Sequence, residues 1–130
     1  MKAVDTNVLA RFLLRDDVEQ AETATAILRE PFWVAASVWV ELGWVLTKRL
    51  RLERGAVGDA LETLLLLDTL NTADREGIGW AVQRFRAGAD WADMIHLVSA
   101  RGTADGFLTF DRSITRYVGT DVPLSVEVVR

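Results

Sequence analysis

The sequence contains no cysteine, which excludes disulfide bonds, thiol catalysis and zinc sites built on cysteine. It also lacks any apolar run close to the roughly 20 residues that a membrane-spanning helix needs. Its N-terminus has none of the charged, apolar and small-residue regions of a signal peptide. We therefore expect a cytoplasmic protein that does not associate with membranes.

The sequence has no surplus of positive charge, since 15 basic residues face 19 acidic ones and the formal net charge is −4. A generic nucleic-acid-binding protein usually carries a basic surplus, so the overall charge counts against that class. Lys2 and Lys48 are the only lysines among the 15 basic residues, and the other thirteen are arginine. Arginine is the better bidentate ligand for phosphate, but the charge balance alone does not decide the function.

The composition is otherwise that of an ordinary globular chain. With 130 residues, 50% of them hydrophobic, the chain is long enough to bury a core of its own. No internal repeat, low-complexity segment or linker interrupts it. We therefore predict one domain over residues 1–130.

Five short apolar segments predict strands, namely KAVD, FWVAA, DTLNT, GFLTF and LSVEVV. Segments with helical spacing lie between them. One is SVWVELGWVLTKRLRL, with Ser37 as its predicted N-cap, and another is ADWADMIHLVSARG, which Gly102 closes as the C′ residue. Strands that alternate with helices predict a three-layer α/β/α sandwich with a central, mostly parallel sheet.

Acidic residues from four separate segments map to one edge of this predicted sheet. Asp5 ends the first strand, and Glu41 lies about one turn into the helix after the second. Asp90 and Asp93 begin the helix that leads into GFLTF, and Asp111 ends that strand. Ligands bind outside the carboxyl ends of the strands in an open α/β sheet, so these acids are candidate functional residues.

Each acid also has a structural explanation of its own. Asp5 and Asp111 can cap the helices that follow them, and Asp90 with Asp93 has the spacing of a capping box. Glu41 resists this explanation, because it stands four residues after the predicted N-cap instead of three. Its neighbours along the chain are apolar, which is an unfavourable setting for an unpaired charge.

The acids of these four segments, taken together, favour a bound cation. Carboxylates at one sheet edge repel one another, and each raises the pKa of the others unless a cation neutralises them. Oxygen ligands suit Mg²⁺ or Mn²⁺. A metal at such an edge can lower the pKa of an attacking water and stabilise a leaving oxygen, which suits phosphodiester hydrolysis.

Three stretches, VDTNVLARFLL, SVWVELGWVL, and DWADMIHLVSARG followed by GFLTFD, together span most of the chain. In their order and spacing they resemble the PIN-domain family, specifically the VapC-type toxin ribonucleases of type II toxin–antitoxin systems. The resemblance implies a PIN-like α/β/α sandwich and a Mg²⁺- or Mn²⁺-dependent endoribonuclease. It also implies an RNA substrate, a cognate antitoxin protein and a homodimer.

The resemblance also implies roles for particular residues. Carried over by position, the catalytic and metal-binding acids are Asp5, Glu41, Asp93 and Asp111, with Asn7, Thr109 and Asp90 in support. The departures from the family pattern are small, with Trp91 in place of phenylalanine and His96 in place of an aliphatic residue. We expect His96, the only histidine, to be packed or partly exposed, because a metal-activated water makes a histidine base unnecessary.

Two other functions compete with this one. A phosphoaspartyl enzyme with Asp5 as nucleophile is disfavoured, because residue 7 is asparagine and neither lysine is well placed. A non-catalytic PIN-like module that binds RNA or protein would be expected to have a broken acidic set, and this set is intact.

Two further features bear on partners. Four arginines are candidates for backbone phosphates because they follow the strands that carry acids: Arg11, Arg15, Arg112 and Arg116. The segment VWVELGWVL is apolar nearly all round, which predicts either a second buried surface or a deep position in the core.

Overall fold

A computed structural model describes residues 1–130 and contains five short strands and seven α-helices. The strands are β1 (Lys2–Ala3), β2 (Phe32–Trp33), β3 (Leu70–Asn71), β4 (Phe107–Thr109) and β5 (Val126–Val128). The helices are α1 (Thr6–Leu14), α2 (Val18–Leu28), α3 (Ala36–Trp44), α4 (Arg54–Leu65), α5 (Arg75–Arg86), α6 (Trp91–Ala100) and α7 (Ser113–Tyr117). Every predicted strand and helix is present in the predicted order.

All of the strand pairs are parallel, which confirms the predicted α/β fold class. Strands β1, β2 and β3 form one sheet in that order, and β4 pairs with β5 in a second. Parallel strands need long crossover connections, and helices supply them between β1, β2 and β3 and again between β4 and β5. The sheet is therefore divided into two parts, which the sequence did not predict.

The helices pack against one another in an order that differs from their order along the chain. Helix α1 contacts α2 and α3, α3 contacts α6, and α5 lies between α6 and α4. They enclose a core that includes Leu9, Val34, Leu61 and Leu97. None of these helices combines the length and the apolar composition that crossing a bilayer requires.

Helix α3 begins at Ala36, two residues earlier than a cap at Ser37 would place its start. Ala35 is its N-cap and makes no side-chain hydrogen bond, so the prediction of Ser37 as N-cap is wrong. The chain leaves β2 with the Val34 amide bonded to the Asn71 carbonyl, and it turns into the helix directly after that bond. Ser37 consequently lies inside the first turn.

The second half of the predicted long helix is a π-helical turn, Val45–Arg49. The Leu50 amide donates to the Val45 carbonyl, five residues back, at 3.0 Å. The chain then bends at Arg51, which has a left-handed φ of 54°. Sequence periodicity alone did not reveal this widened turn.

The large number of apolar residues in α3 is explained mainly by their burial in the core. Trp39 and Leu42 of α3, and Leu46 just after it, are completely buried. Trp44 is the exception, since 54% of it is exposed. Of the two explanations for this surplus, a deep core position applies to most of the residues, and one large apolar side chain remains at the surface.

Helices α3 and α6 meet at a contact between an indole ring and a glycine. The Trp91 Nε1 donates to the Trp39 carbonyl at 2.7 Å. A Cβ atom at Gly43 would lie 2.1 Å from the Trp91 ring, so only glycine permits this approach. Trp39 in turn donates from Nε1 to the Thr72 hydroxyl at 3.0 Å, and this hydroxyl donates to the Val34 carbonyl.

We expect Gly43→Ala to lower the free energy of unfolding by about 1–3 kcal/mol, the usual cost of overpacking a core. The added methyl group must displace the Trp91 ring and weaken its bond to Trp39. The measurement is urea unfolding followed by circular dichroism. Gly79→Ala in α5 is the matched control, because nothing lies within 4 Å of its added Cβ. This control should gain about 0.5–1 kcal/mol from helix propensity, and equal stability changes in the two variants would contradict the packing described.

Candidate active site

Asp5 lies where the chain leaves β1 and enters α1. The Val4 amide still donates to the Trp33 carbonyl of β2 at 3.0 Å, so Asp5 stands at the carboxyl end of this sheet. It is the N-cap of α1, and one carboxylate oxygen accepts from the Val8 amide at 3.2 Å. The other oxygen accepts no hydrogen bond within the chain and is exposed, so Asp5 can cap the helix and still bind a ligand.

Glu41 lies on α3 and is exposed, without a hydrogen bond or an ion pair of its side chain. The expectation that its apolar neighbours surround the charge is therefore wrong. Leu42 and Trp39 point into the core while Glu41 points to solvent, since consecutive residues of a helix face different directions. No structural partner accounts for this carboxylate, which leaves it free for a ligand.

Asp90 and Asp93 form the predicted cap at the start of α6. Asp90 accepts from the Asp93 amide at 3.0 Å. The Asp93 carboxylate itself is half-buried and makes no hydrogen bond. Its pKa is raised, first by burial and then by the negative charges of Asp90 and Asp111, while His96 lowers it. Asp93 thus experiences the like-charge repulsion that a cation would relieve.

Asp111 follows β4 in a turn that its neighbours hold in place. Its amide donates to the Thr109 hydroxyl at 2.9 Å. One carboxylate oxygen accepts from the Ser113 amide at 2.8 Å and from the Ser113 hydroxyl at 2.6 Å. These bonds lower the pKa of Asp111. The carboxylate is therefore ionised and held in one orientation.

The structure brings some of the predicted acids together and leaves others apart. Asp93 lies within electrostatic reach of Asp90 and Asp111. Helix α3, which carries Glu41, packs against α1 and α6, so it stands between the elements that carry Asp5 and Asp93. No three of the aspartate, glutamate and histidine side chains lie close enough together to hold a metal ion. A shared cation would therefore require these side chains to turn toward one another.

Two residues beside Asp5 add polar groups to this region. Thr6 is buried, and its hydroxyl is one of the few buried side-chain groups with no hydrogen-bond partner. Asn7 is exposed and lines a cavity of about 600 Å³ between α1 and α2. The burial of Thr6 could not be predicted from the sequence, because a threonine that begins a helix gives no sign of it.

The oxygen atoms of this region fit a hard divalent cation in their chemistry. Asp5, Glu41, Asp93 and Asp111 supply only carboxylate oxygens, the ligands that Mg²⁺ and Mn²⁺ prefer. The pKa of Asp93 is raised first by burial and then by the charges of Asp90 and Asp111, and a cation nearby would act in the opposite direction. His96 is exposed, which agrees with one of the two environments expected for it. As the only histidine it cannot form a cluster of nitrogen ligands that would favour a different metal.

The four arginines predicted to bind phosphate differ in whether another side chain of the protein already engages them. Arg11 is paired with Asp16 at 3.1 Å, and Arg15 donates to the Thr25 hydroxyl at 3.1 Å. Arg112 and Arg116 are exposed, and neither takes part in a salt bridge. The pair that follows Asp111 is therefore the better placed to bind phosphate.

Comparison with known proteins identifies one family. The sequence model of the PIN domain family matches residues 2–119 of the chain. No curated protein and no solved structure matches the chain.

In metal-free protein at neutral pH, we expect Asp93→Asn to raise the free energy of unfolding by about 0.5 kcal/mol. The raised pKa means that ionised Asp93 is disfavoured in the folded state, although solvent screens part of this effect. The folded state binds more protons than the unfolded chain between about pH 3.9 and the raised pKa. The ionisation of Asp93 therefore lowers the stability of the wild type as the pH rises through this window, and the variant lacks this contribution.

The measurement is urea unfolding in EDTA over a pH series. Asp68→Asn is the control, because this exposed acid makes no hydrogen bond or ion pair. It should leave the pH dependence unchanged. A stability profile of Asp93→Asn that runs parallel to the wild-type profile would contradict the electrostatic description of Asp93.

Proposed function

The chain belongs to the PIN domain family, and on this premise we propose that it is a Mg²⁺- or Mn²⁺-dependent endoribonuclease. Membership points to nuclease activity in general, and the proposal adds the metal and the RNA phosphodiester substrate. One observation carries it: the family match over residues 2–119 includes all four candidate acids, with no member of the set replaced by a neutral residue. An intact acidic set favours a catalyst over a binding module.

The proposed metal ligands are the four carboxylates, Asp5, Glu41, Asp93 and Asp111. When bound, Mg²⁺ or Mn²⁺ lowers the pKa of an attacking water and stabilises the leaving oxygen of the phosphodiester. Repulsion between Asp93 and the acids near it supports this assignment, since a cation turns an unfavourable cluster of charges into a favourable one. The same four residues are proposed as the catalytic residues.

The remaining side chains are proposed to orient the acids and the substrate. Thr109 and Ser113 hold the turn around Asp111, so that its carboxylate does not rotate freely. Asp90 fixes the first turn of α6, on which Asp93 stands. The exposed amide of Asn7 can donate to a phosphate oxygen or accept from the attacking water.

We further propose that this nuclease is the cytoplasmic toxin of a toxin–antitoxin pair and that it forms a homodimer and binds an antitoxin protein. The supporting feature is Trp44, which is exposed. Together with Val40, Thr47 and Trp91 it lines a cleft of about 180 Å³ between α3 and α6. Tryptophans of this kind, large and partly exposed beside a cleft, are typical anchors of protein interfaces.

We expect Asp5→Asn to reduce cleavage by at least about 100-fold, since even the loss of an outer-shell partner costs metal sites about 10- to 100-fold. The fold should persist, because asparagine caps a helix as well as aspartate does. The measurement is cleavage of a pool of structured RNAs in Mg²⁺ or Mn²⁺, with EDTA as the metal-free reaction.

Asp17→Asn is the matched control for this test. Asp17 caps α2 as Asp5 caps α1, accepting from the Gln20 amide at 3.0 Å. The same chemical change there should leave cleavage unchanged. Cleavage by Asp5→Asn at the wild-type rate would overturn the role of Asp5. RNA binding by the wild type without cleavage in either metal would favour the alternative, a non-catalytic binding module, in accord with the separation of the acids.

We expect Trp44→Ala to weaken the proposed homodimer by at least about 30-fold, the effect of losing a tryptophan at the centre of an interface. The measurement is sedimentation velocity over a concentration series. Leu66→Ala is the control, because Leu66 is 82% exposed on the C-cap of α4 and is apolar as well. An unchanged dimer in Trp44→Ala would exclude this residue from the interface.

A further inference from the structure

The outer face of β4 carries two large apolar side chains that nothing in the chain covers. Leu108 is 65% exposed and Phe110, directly after the strand, is 77% exposed. Phe107 and Thr109 alternate with them and are half-buried on the other face, as the period of a strand requires. Glu127 of β5 lies opposite Leu108 on the exposed face. The exposure of Phe110 follows from the strand geometry and not from a chain end.

The backbone around Phe110 is held by hydrogen bonds on both sides. The Thr109 hydroxyl accepts from the Asp111 amide, so one bond spans Phe110 itself. Asp111 then accepts from the Ser113 amide and hydroxyl and closes the next turn. An aromatic ring in such a turn loses little backbone freedom when it binds a ligand. The ring also stands next to a proposed metal ligand.

Two arginines that form no salt bridge follow Phe110 in the same segment. Arg112 and Arg116 are exposed, and no acid of the chain pairs with either. Arg86, by contrast, is held by Asp59 and Glu62. Phe110, Arg112 and Arg116 fall within seven residues of the chain. Exposed aromatic rings and unpaired arginines in one region are the combination with which proteins bind single-stranded nucleic acids, since bases stack on the ring and phosphates pair with the arginines.

We propose that Phe110 is a positioning residue that stacks on an unpaired base of the RNA next to the scissile phosphate, while Arg112 and Arg116 hold phosphates beside it. This inference rests on the proposed nuclease function and names a residue that the family match does not assign. A second protein is a poorer occupant, because two apolar side chains among Asp111, Arg112 and Glu127 form a small and charged surface, far below what stable protein interfaces bury.

The test measures RNA binding without cleavage, by fluorescence anisotropy of an end-labelled single-stranded RNA with the wild-type chain in EDTA. Phe110→Ala should weaken binding by about 5- to 100-fold, the usual effect of losing one stacked base. Phe110→Trp should bind at least as well as the wild type, whereas Phe110→Leu should bind like the alanine variant. Leu108→Ala is the control for lost apolar surface and should bind like the wild type.

Abasic substitutions along the RNA identify the stacked nucleotide. At one position, removal of the base should weaken wild-type binding and leave binding by Phe110→Ala unchanged, because each change removes the same contact. A fully paired duplex should bind equally to both proteins, since its bases are not available to the ring. In Mg²⁺, the KM for cleavage of the single strand should rise in Phe110→Ala more than kcat falls.

The outcomes separate this inference from the function on which it rests. Wild-type cleavage with equal RNA affinity in all Phe110 variants would overturn the stacking role alone. Full binding by Phe110→Leu would show that apolar contact suffices and would also overturn it. Absence of both binding and cleavage in the wild type would overturn the nuclease function as well. A change in sedimentation of Phe110→Ala would assign this face to a protein interface instead.

Discussion

The packing of helix α6 against α3 depends on the Trp91 indole, which lies across Gly43 and donates to the Trp39 carbonyl. Because Glu41 belongs to α3 and Asp93 to α6, the same contact sets the relation between two of the candidate acids. Trp39 is itself tied to Thr72, and through it to the end of β2 at Val34. The Trp91 ring also packs edge-on against the Phe85 ring. The Arg54 guanidinium in turn lies over the Phe85 ring. A series of hydrogen bonds through Thr72, Trp39 and Trp91 therefore joins the sheet to helices α3 and α6, which carry candidate acids.

The candidate acids serve the fold as well as the proposed chemistry. Asp5 and Asp90 cap the helices they precede, and caps of this kind stabilise a protein by about 1 kcal/mol each. Asp111 closes a turn with Ser113. These local bonds help to offset the repulsion between neighbouring carboxylates, whereas the side chains of Asp93 and Glu41 make no hydrogen bond. The caps thus fix Asp5 and Asp90 at the starts of their helices, where the helix N-termini also favour negative charge.

The features predicted correctly from the sequence are those that depend on neighbouring residues. The strands and helices appear in the predicted order, Asp90 caps α6, and Gly102 follows the end of that helix with a left-handed φ of 85°. The errors lie where distant residues decide. Ser37 is not the N-cap of α3, since the bond between Val34 and Asn71 sets where the chain turns. Glu41 is exposed although its neighbours along the chain are apolar, because helix geometry turns them toward different surroundings.

By itself, the sequence determined the fold class, the order of the elements, the family and the oxygen chemistry of the candidate ligands, since periodicity, capping residues and motifs act over a few positions. The tertiary structure decided which side chains are buried and which remain exposed. Trp39 and Trp44 lie five positions apart along the chain, yet one is in the core and the other at the surface. The two phenylalanines of GFLTF differ as well, with Phe107 half-buried and Phe110 exposed beside Asp111. Burial and the distances between charges depend on segments far apart in sequence, and only packing brings those segments together.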